Sequence, residues 1–301
     1  MVEYQYTLAA EVSCSGVGLH TGAPVNLKLL PAHANSGIVF RRSDLEDFEI
    51  AANGKHVARV SYATSLMRKG VLISTTEHLL SALAALGVDN VVVELDNLEV
   101  PIMDGSALPF ARMIQQAGLK QQRSARRRAR ILAPFQIEEG AKRVAVYPAS
   151  HFRVTYHIDF PHPLIGEQTY EYSGNAADYY EAIAPARTFG FLRELEALRS
   201  NGLVRGGSLQ NAVVMTDTGV MNPEGLRFAD EFCRHKVLDF IGDLAMFVHP
   251  LNGHFHVWRG GHALHYSLVS RLQRDTSLWT LESPAAEKTT QPRAIPAAAN
   301  F

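Results

Sequence analysis

Between Phe232 and Asp243 the chain reads Phe-Cys-Arg-His-Lys-Val-Leu-Asp-Phe-Ile-Gly-Asp, and Phe232, Leu238, Ile241 and Leu244 fall at helical spacing. On such a helix Glu231, His235, Asp239 and Asp243 recur every four residues, so their side chains stack along one face. An imidazole nitrogen and a carboxylate oxygen one turn apart can bind the same metal ion, and zinc accepts both. A catalytic zinc takes three protein ligands and keeps its fourth position for water, so His235 and Asp239 need a third donor from elsewhere. The spacing equally describes a plain polar helix face with i, i+4 pairs, and on spacing alone that reading is preferred.

A second segment, Ser74-Thr75-Thr76-Glu77-His78-Leu79-Leu80, opens a helix that Gly87 ends. Ser74 and Glu77 fit a capping box, in which the glutamate returns to the N-cap amide, and this accounts for Glu77 structurally. The functional alternative makes His78 the third ligand and Glu77 the base that takes a proton from metal-bound water. A third segment is dense in histidine: His249, His254, His256, His262 and His265. His254 and His256 share one strand face but lack a spaced partner motif. His262 follows Gly260-Gly261, which lets the backbone approach a ligand closely, and is the better catalytic candidate.

The elements that must position these groups alternate. Val25 to Leu30 is predicted as a strand, Thr75 to Leu86 as a helix and Asn90 to Leu95 as a buried strand. Residues 1–123 form a first α/β unit, and Arg123 to Arg130, five arginines among eight residues, is expected to be a solvated linker over 124–130. The competing reading is a patch for nucleic acid or anionic lipid, although the run holds no aromatic residue for stacking. A second unit, 131–274, carries strands at Arg143 to Tyr147, Phe152 to Ile158 and Gly253 to Trp258, with helices at Phe191 to Ser200 and Phe228 to Val248. Residues 275–301 turn to Ser, Pro, Ala, Thr and Gln and are expected to be a disordered tail.

The chain has 301 residues, 47% hydrophobic and 20% charged, the balance of a globular protein with a sizeable core. A net charge of -1 gives no overall pull toward nucleic acid or an anionic membrane. No apolar run approaches the roughly 20 residues of a membrane-spanning helix, and the start lacks a signal pattern, so a cytoplasmic protein without stable membrane insertion is expected. Cys14 and Cys233 have no paired spacing and read as two reduced, packed thiols.

Taken in order, Gly16-Val17-Gly18-Leu19-His20-Thr21-Gly22, Ser74 to Leu79, Pro101-Ile102-Met103-Asp104-Gly105-Ser106, Ala186-Arg187-Thr188-Phe189-Gly190-Phe191, Phe232 to Asp243 and Gly261-His262-Ala263-Leu264 resemble the UDP-3-O-acyl-N-acetylglucosamine deacetylase family over nearly the whole chain. The resemblance implies an α+β, two-layer sandwich architecture: two similar-sized domains, each a β-sheet backed by helices, the helical layers packed together and the active site between them. It implies a zinc-dependent amide hydrolase of lipid A (lipopolysaccharide) biosynthesis in a Gram-negative bacterium, with one catalytic Zn2+. Ferrous iron also suits two histidines and a carboxylate.

Carried over by residue, the resemblance makes His78, His235 and Asp239 the metal ligands and Glu77 the general base. It makes His262 the general acid with Asp243 as its partner, Thr188 the oxyanion donor and Lys236 a substrate or oxyanion contact. Phe189 would pack near the sugar, Asp159, Phe160 and Arg259 near the nucleotide, and Leu192 and Leu203 in an insert over 191–214 that forms an acyl passage; the plainer reading of that stretch is an amphipathic core helix. Family members often carry a cysteine near position 63, where this chain has Ala63, so inhibition by a second zinc is not expected. The expected partner is the acylated UDP-amino sugar, with no nucleic acid. Two rivals stand beside this reading: a zinc amidase or esterase on another acylated amino sugar, and an inactive binding protein. The ending Ala297-Ala298-Ala299-Asn300-Phe301 further suggests recognition of the tail by a processive protease.

Overall fold

The computed structural model describes residues 2–282. The expected protease signal and most of the expected tail, 283–301, lie outside the described residues.

In the first half, strict alternation builds the main sheet. Pro24–Pro31 buries Val25, Leu27 and Leu29 and turns the residues between them outward. Val12–Val17 pairs antiparallel on one side of it and Val91–Leu95 on the other; Ile38–Arg42 follows, parallel to Val91–Leu95, and Phe48–Ala51 closes the edge. Two helices, α1 (Glu77–Leu86) and α2 (Leu108–Ala117), cover this sheet, and a small antiparallel sheet of Val57–Arg59, Ser65–Arg68 and Val71–Ile73 leads into α1.

The second half is built around Leu251–Trp258, which pairs with Lys142–Tyr147 on one edge and with Phe152–Phe160 on the other in a seven-stranded sheet. Its helices are the short α3 (Ala176–Asp178), α4 (Leu192–Ser200), α5 (Glu231–Leu244) and α6 (His262–Arg274). The fold is therefore the expected mixed sandwich, with α1 and α5 packed face to face between the two sheets. Their approach is close because Gly242 has no side chain: a Cβ there would lie 2.1 Å from the Glu77 carbonyl oxygen. Nearly every side of α5 is buried, with Phe232, Val237, Leu238, Phe240 and Leu244 in the shared core.

Three local expectations are corrected. The arginine run is structured: Leu119–Ala125 pairs with Tyr4–Leu8, and Arg128–Ile131 joins the second sheet. Arg126 is buried on Glu3 and Asp89, and Arg128 also engages Glu3, so paired carboxylates let these arginines leave water. The chain remains ordered past 275, since Trp279–Glu282 pairs antiparallel with Arg128–Ile131 and the Trp279 indole donates to the Leu272 carbonyl. Finally, α4 is not a core helix, because none of its residues is buried. No helix among the described residues is long and apolar enough to cross a membrane.

Candidate active site

The capping box does not form. The helix starts at Glu77 itself, its N-cap residue Thr76 makes no side-chain cap bond, and the Glu77 carboxylate turns inward to accept the Thr64 amide at 3.0 Å. The chain reaches this turn through Thr75, a β-branched residue held in the left-handed region at φ 59. Its hydroxyl donates to buried Glu99 at 2.8 Å, and Glu99 also accepts the amides of His20 and Thr21 and the Thr21 hydroxyl. The Gly16 to Gly22 motif and the start of α1 are thus fastened by one carboxylate, and that fastening supports the strained residue.

Opposite α1, α5 presents His235 and Asp239. Nδ1 of His235 donates to the Ala186 carbonyl at 3.0 Å, which leaves Nε2 with its lone pair facing Asp239. His235 Nε2 and His78 Nε2 stand 3.4 and 3.7 Å from Asp239 Oδ1, and the three ligand atoms lie within 4.8 Å of one another. Two donors each about 2.0–2.2 Å from one tetrahedral ion sit roughly 3.3–3.6 Å apart, so these separations suit a shared ion better than direct hydrogen bonds. Burial and then the neighbouring His235 push His78 down to about 3, and burial lowers His235 as well, so both imidazoles are neutral donors at neutral pH. The buried side chains of Glu77, Asp239 and Asp243 face Lys236 and His262 across this space.

A second group of possible donors, Asp243, His262 and His265, is hydrogen-bonded internally. Asp243 Oδ2 accepts Nδ1–H of His262 at 2.7 Å and of His265 at 2.8 Å, and Oδ1 accepts the Thr64 hydroxyl at 2.6 Å. Tyr156 donates to Nε2 of His265 at 3.0 Å, which fixes that ring as neutral. Burial alone would lower His262, but the Asp243 carboxylate beside it raises it to about 10, so it is cationic, with Nε2 3.9 Å from Glu77 Oε1. Burial pushes the Glu77 carboxyl up to about 7, where a base works near neutral pH; the His262 charge opposes the shift, and Asp239 and Asp243 add to it. A buried carboxyl, a half-buried imidazolium and three side chains that could hold an ion share one small space.

Around it, Lys236 Nζ lies 2.9 Å from Asp239 Oδ2 and 5.7 Å from the Phe189 ring centre. The Thr188 amide donates to the Gly105 carbonyl at 2.8 Å, bringing the Pro101 to Ser106 segment under the Ala186 to Phe191 segment. Gly105 is required there: its φ is +84, and a Cβ would meet the Asn211 carbonyl at 2.2 Å. Phe160 and Phe189 pack edge to face at 5.6 Å, and Phe189 continues to His235 at 6.4 Å, forming an aromatic wall that runs to the ligand cluster. Asp159 and Arg259 face each other at 3.6 Å on the surface, away from burial. Leu192 is exposed at the start of α4 and Leu203 is half-buried beyond its end.

Thr64 and Glu99 are not singled out by the sequence, and His265 and Glu231, though named in its motifs, are given no supporting role there. Glu231 is fully buried and accepts from the Arg187 amide, Arg187 Nε and Nη2, and the Arg227 amide, tying α5 to the segment that orients His235. Its place in the four-residue series was visible, but its partners lie 44 positions away and four positions away on the loop side.

The family model for UDP-3-O-acyl N-acetylglycosamine deacetylase matches residues 5–274. A UDP-3-O-acyl-N-acetylglucosamine deacetylase of Solibacter usitatus is 51% identical over 280 residues, covering 93% of this chain and 95% of that protein. Proteins of the same description from Myxococcus xanthus and Nitratidesulfovibrio vulgaris are each 47% identical, covering 92% and 94% of this chain and 88% and 93% of their own length.

Proposed function

The chain belongs to the UDP-3-O-acyl-N-acetylglucosamine deacetylase family, and from that membership we propose that it hydrolyses the N-acetyl group of UDP-3-O-acyl-N-acetylglucosamine to acetate and the free amine, a step in building lipid A. The observation that carries the reading is the placement of Glu77 and His262, 3.9 Å apart and oppositely suited for proton transfer, beside the His78, His235 and Asp239 donors.

His78, His235 and Asp239 would hold a Zn2+ ion, which would supply Lewis acidity for the acetamide carbonyl and the attacking water. Glu77 takes the proton from the attacking water, and its raised pKa matches that task. Negative charge then develops on the acetamide oxygen. The Thr188 hydroxyl and Lys236, both on segments that border the ligands, are the protein donors suited to meet it. His262 holds a proton on Nε2, because Asp243 occupies Nδ1, and delivers it to the departing amine. Asp243 can hold that charge because burial, which would raise its carboxyl, is outweighed by His262 and the other donors, and it stays at about 2.

The aromatic wall of Phe160 and Phe189 suits the sugar face, Arg259 suits the diphosphate after exchanging Asp159 for phosphate oxygens, and exposed Leu192 with Leu203 suits the acyl chain. The test is acetate release from UDP-3-O-acyl-N-acetylglucosamine by chelated protein, zinc-restored protein and zinc-restored Glu77→Ala. Turnover restored by zinc and largely lost in Glu77→Ala is expected. Metal-loaded protein that binds the nucleotide sugar yet releases no acetate refutes the reading.

A further inference from the structure

Behind the catalytic helices lies a cavity of about 740 Å³, inside the roughly 300–1,000 Å³ range of small-molecule sites. Its floor is formed by the C-terminal turns of α1 and α5, with Ala84, Ala85, Ile241, Leu244 and Ala245, and no residue of the catalytic group lines it. Arg126, Arg127 and Arg128 stand on its rim. Arg126 and Arg128 are engaged by Glu3 and Asp89 at 2.7–3.1 Å, whereas Arg127 is exposed and has no carboxylate partner among the described residues. The polar wall is self-satisfied: Gln5 Nε2 donates to Asn35 Oδ1, and Asn90 Nδ2 donates to Gln5 Oε1. Among what the cavity offers a ligand are an apolar floor and the Arg127 cation.

Val248 gives an independent sign. It lines the same cavity, is 56% exposed and holds φ at 80, a true outlier for a β-branched residue. Strain of this kind gathers at ligand clamps and switch segments. We propose that the cavity binds a single-chain anionic amphiphile, with the chain along Ala84, Ala85, Leu244 and Val248 and the head group on Arg127. A neutral amphiphile would satisfy the floor alone, and a small anion would satisfy Arg127 alone. The proposal uses no residue of the deacetylase site, so it stands apart from that reading. Ala85 and His78 nevertheless share α1, about 10 Å apart along its axis, so the bound ligand rests on the helix that carries a metal donor.

Dodecanoate and dodecyl maltoside, each below its micelle concentration, are titrated calorimetrically into the full-length protein, into Arg127→Glu and into Ala85→Leu. Saturable dodecanoate binding is expected, weakened about tenfold or more in both variants and in the neutral probe. Because Arg127 is exposed, its variant keeps the fold, and it decides the matter even if Ala85→Leu does not fold. A diazirine-bearing dodecanoate then locates the site, with crosslinks expected in peptides holding residues 84–88 or 241–251. Crosslinks confined to 191–214, or affinity unchanged by Arg127→Glu, overturn the proposal.

Discussion

Replacing Glu231 by alanine is expected to be the most damaging single change outside the reacting groups. Its carboxylate is fully buried and accepts four bonds at 2.7–3.2 Å, three of them from Arg187 and one from the Arg227 amide. The truncation leaves the buried Arg187 guanidinium with only Glu224 and the Gly225 carbonyl, and strands two backbone amides. Breaking a buried charge pair costs about 3–5 kcal/mol. At roughly 2–4 °C per kcal/mol for chains near this size, Tm should fall by about 6–20 °C. The loss reaches the site as well, because the Ala186 carbonyl that orients His235 adjoins Arg187, so bound metal should decline in step. Calorimetric Tm, urea unfolding and metal content by mass spectrometry measure both effects. Glu224→Ala is the control: it touches the same arginine from an exposed position and should shift Tm far less. A Glu231→Ala protein destabilised by under about 1 kcal/mol, or no more than Glu224→Ala, would refute the reasoning.

Gly242→Ala drives a methyl group to within 2.1 Å of the Glu77 carbonyl and should cost about 1–3 kcal/mol while parting α1 from α5, read as lower Tm together with weaker metal retention. Thr64→Val removes the hydroxyl bonded to Asp243 but keeps the amide on Glu77; kcat should drop about tenfold with metal content unchanged, and full activity would show that Asp243 needs no such support. For Glu3, burial would raise the carboxyl, but Arg128 and then Arg126 hold it at about 2 against 4.5 in the open chain. A depressed folded pKa stabilises above the unfolded value and is lost on acidification, so the stability gap between the protein and Glu3→Gln should be full at pH 7 and shrink from about pH 4.5 toward 2; a constant gap would contradict the pairing.

The parts of the site legible in the sequence were those set by short-range geometry. His235 and Asp239 could be put on a common face by their i, i+4 interval, though only the family resemblance favoured a metal site over a plain polar face, and the sheets could be anticipated from alternation such as Val25, Leu27 and Leu29. Glu77 was ambiguous because a capping box depends on where the helix begins, and the left-handed Thr75, held by Glu99 from 24 positions away, moved that start. Thr64 meets Asp243 across 179 positions, and no local pattern announces such a contact. The arginine run misled for a related reason: like charges imply solvent only until Glu3 and Asp89, distant in sequence, supply their counterions.

The donors on α1 and α5 belong to opposite halves of the chain, and Gly242 brings those helices together only when the halves dock. An ion held by His78, His235 and Asp239 would act as a latch on assembly, absent from each half on its own. Such a latch acts late: it should slow the separation of the halves without hastening the folding of either. Metal supply would then govern how long the assembled protein persists as well as how fast it works.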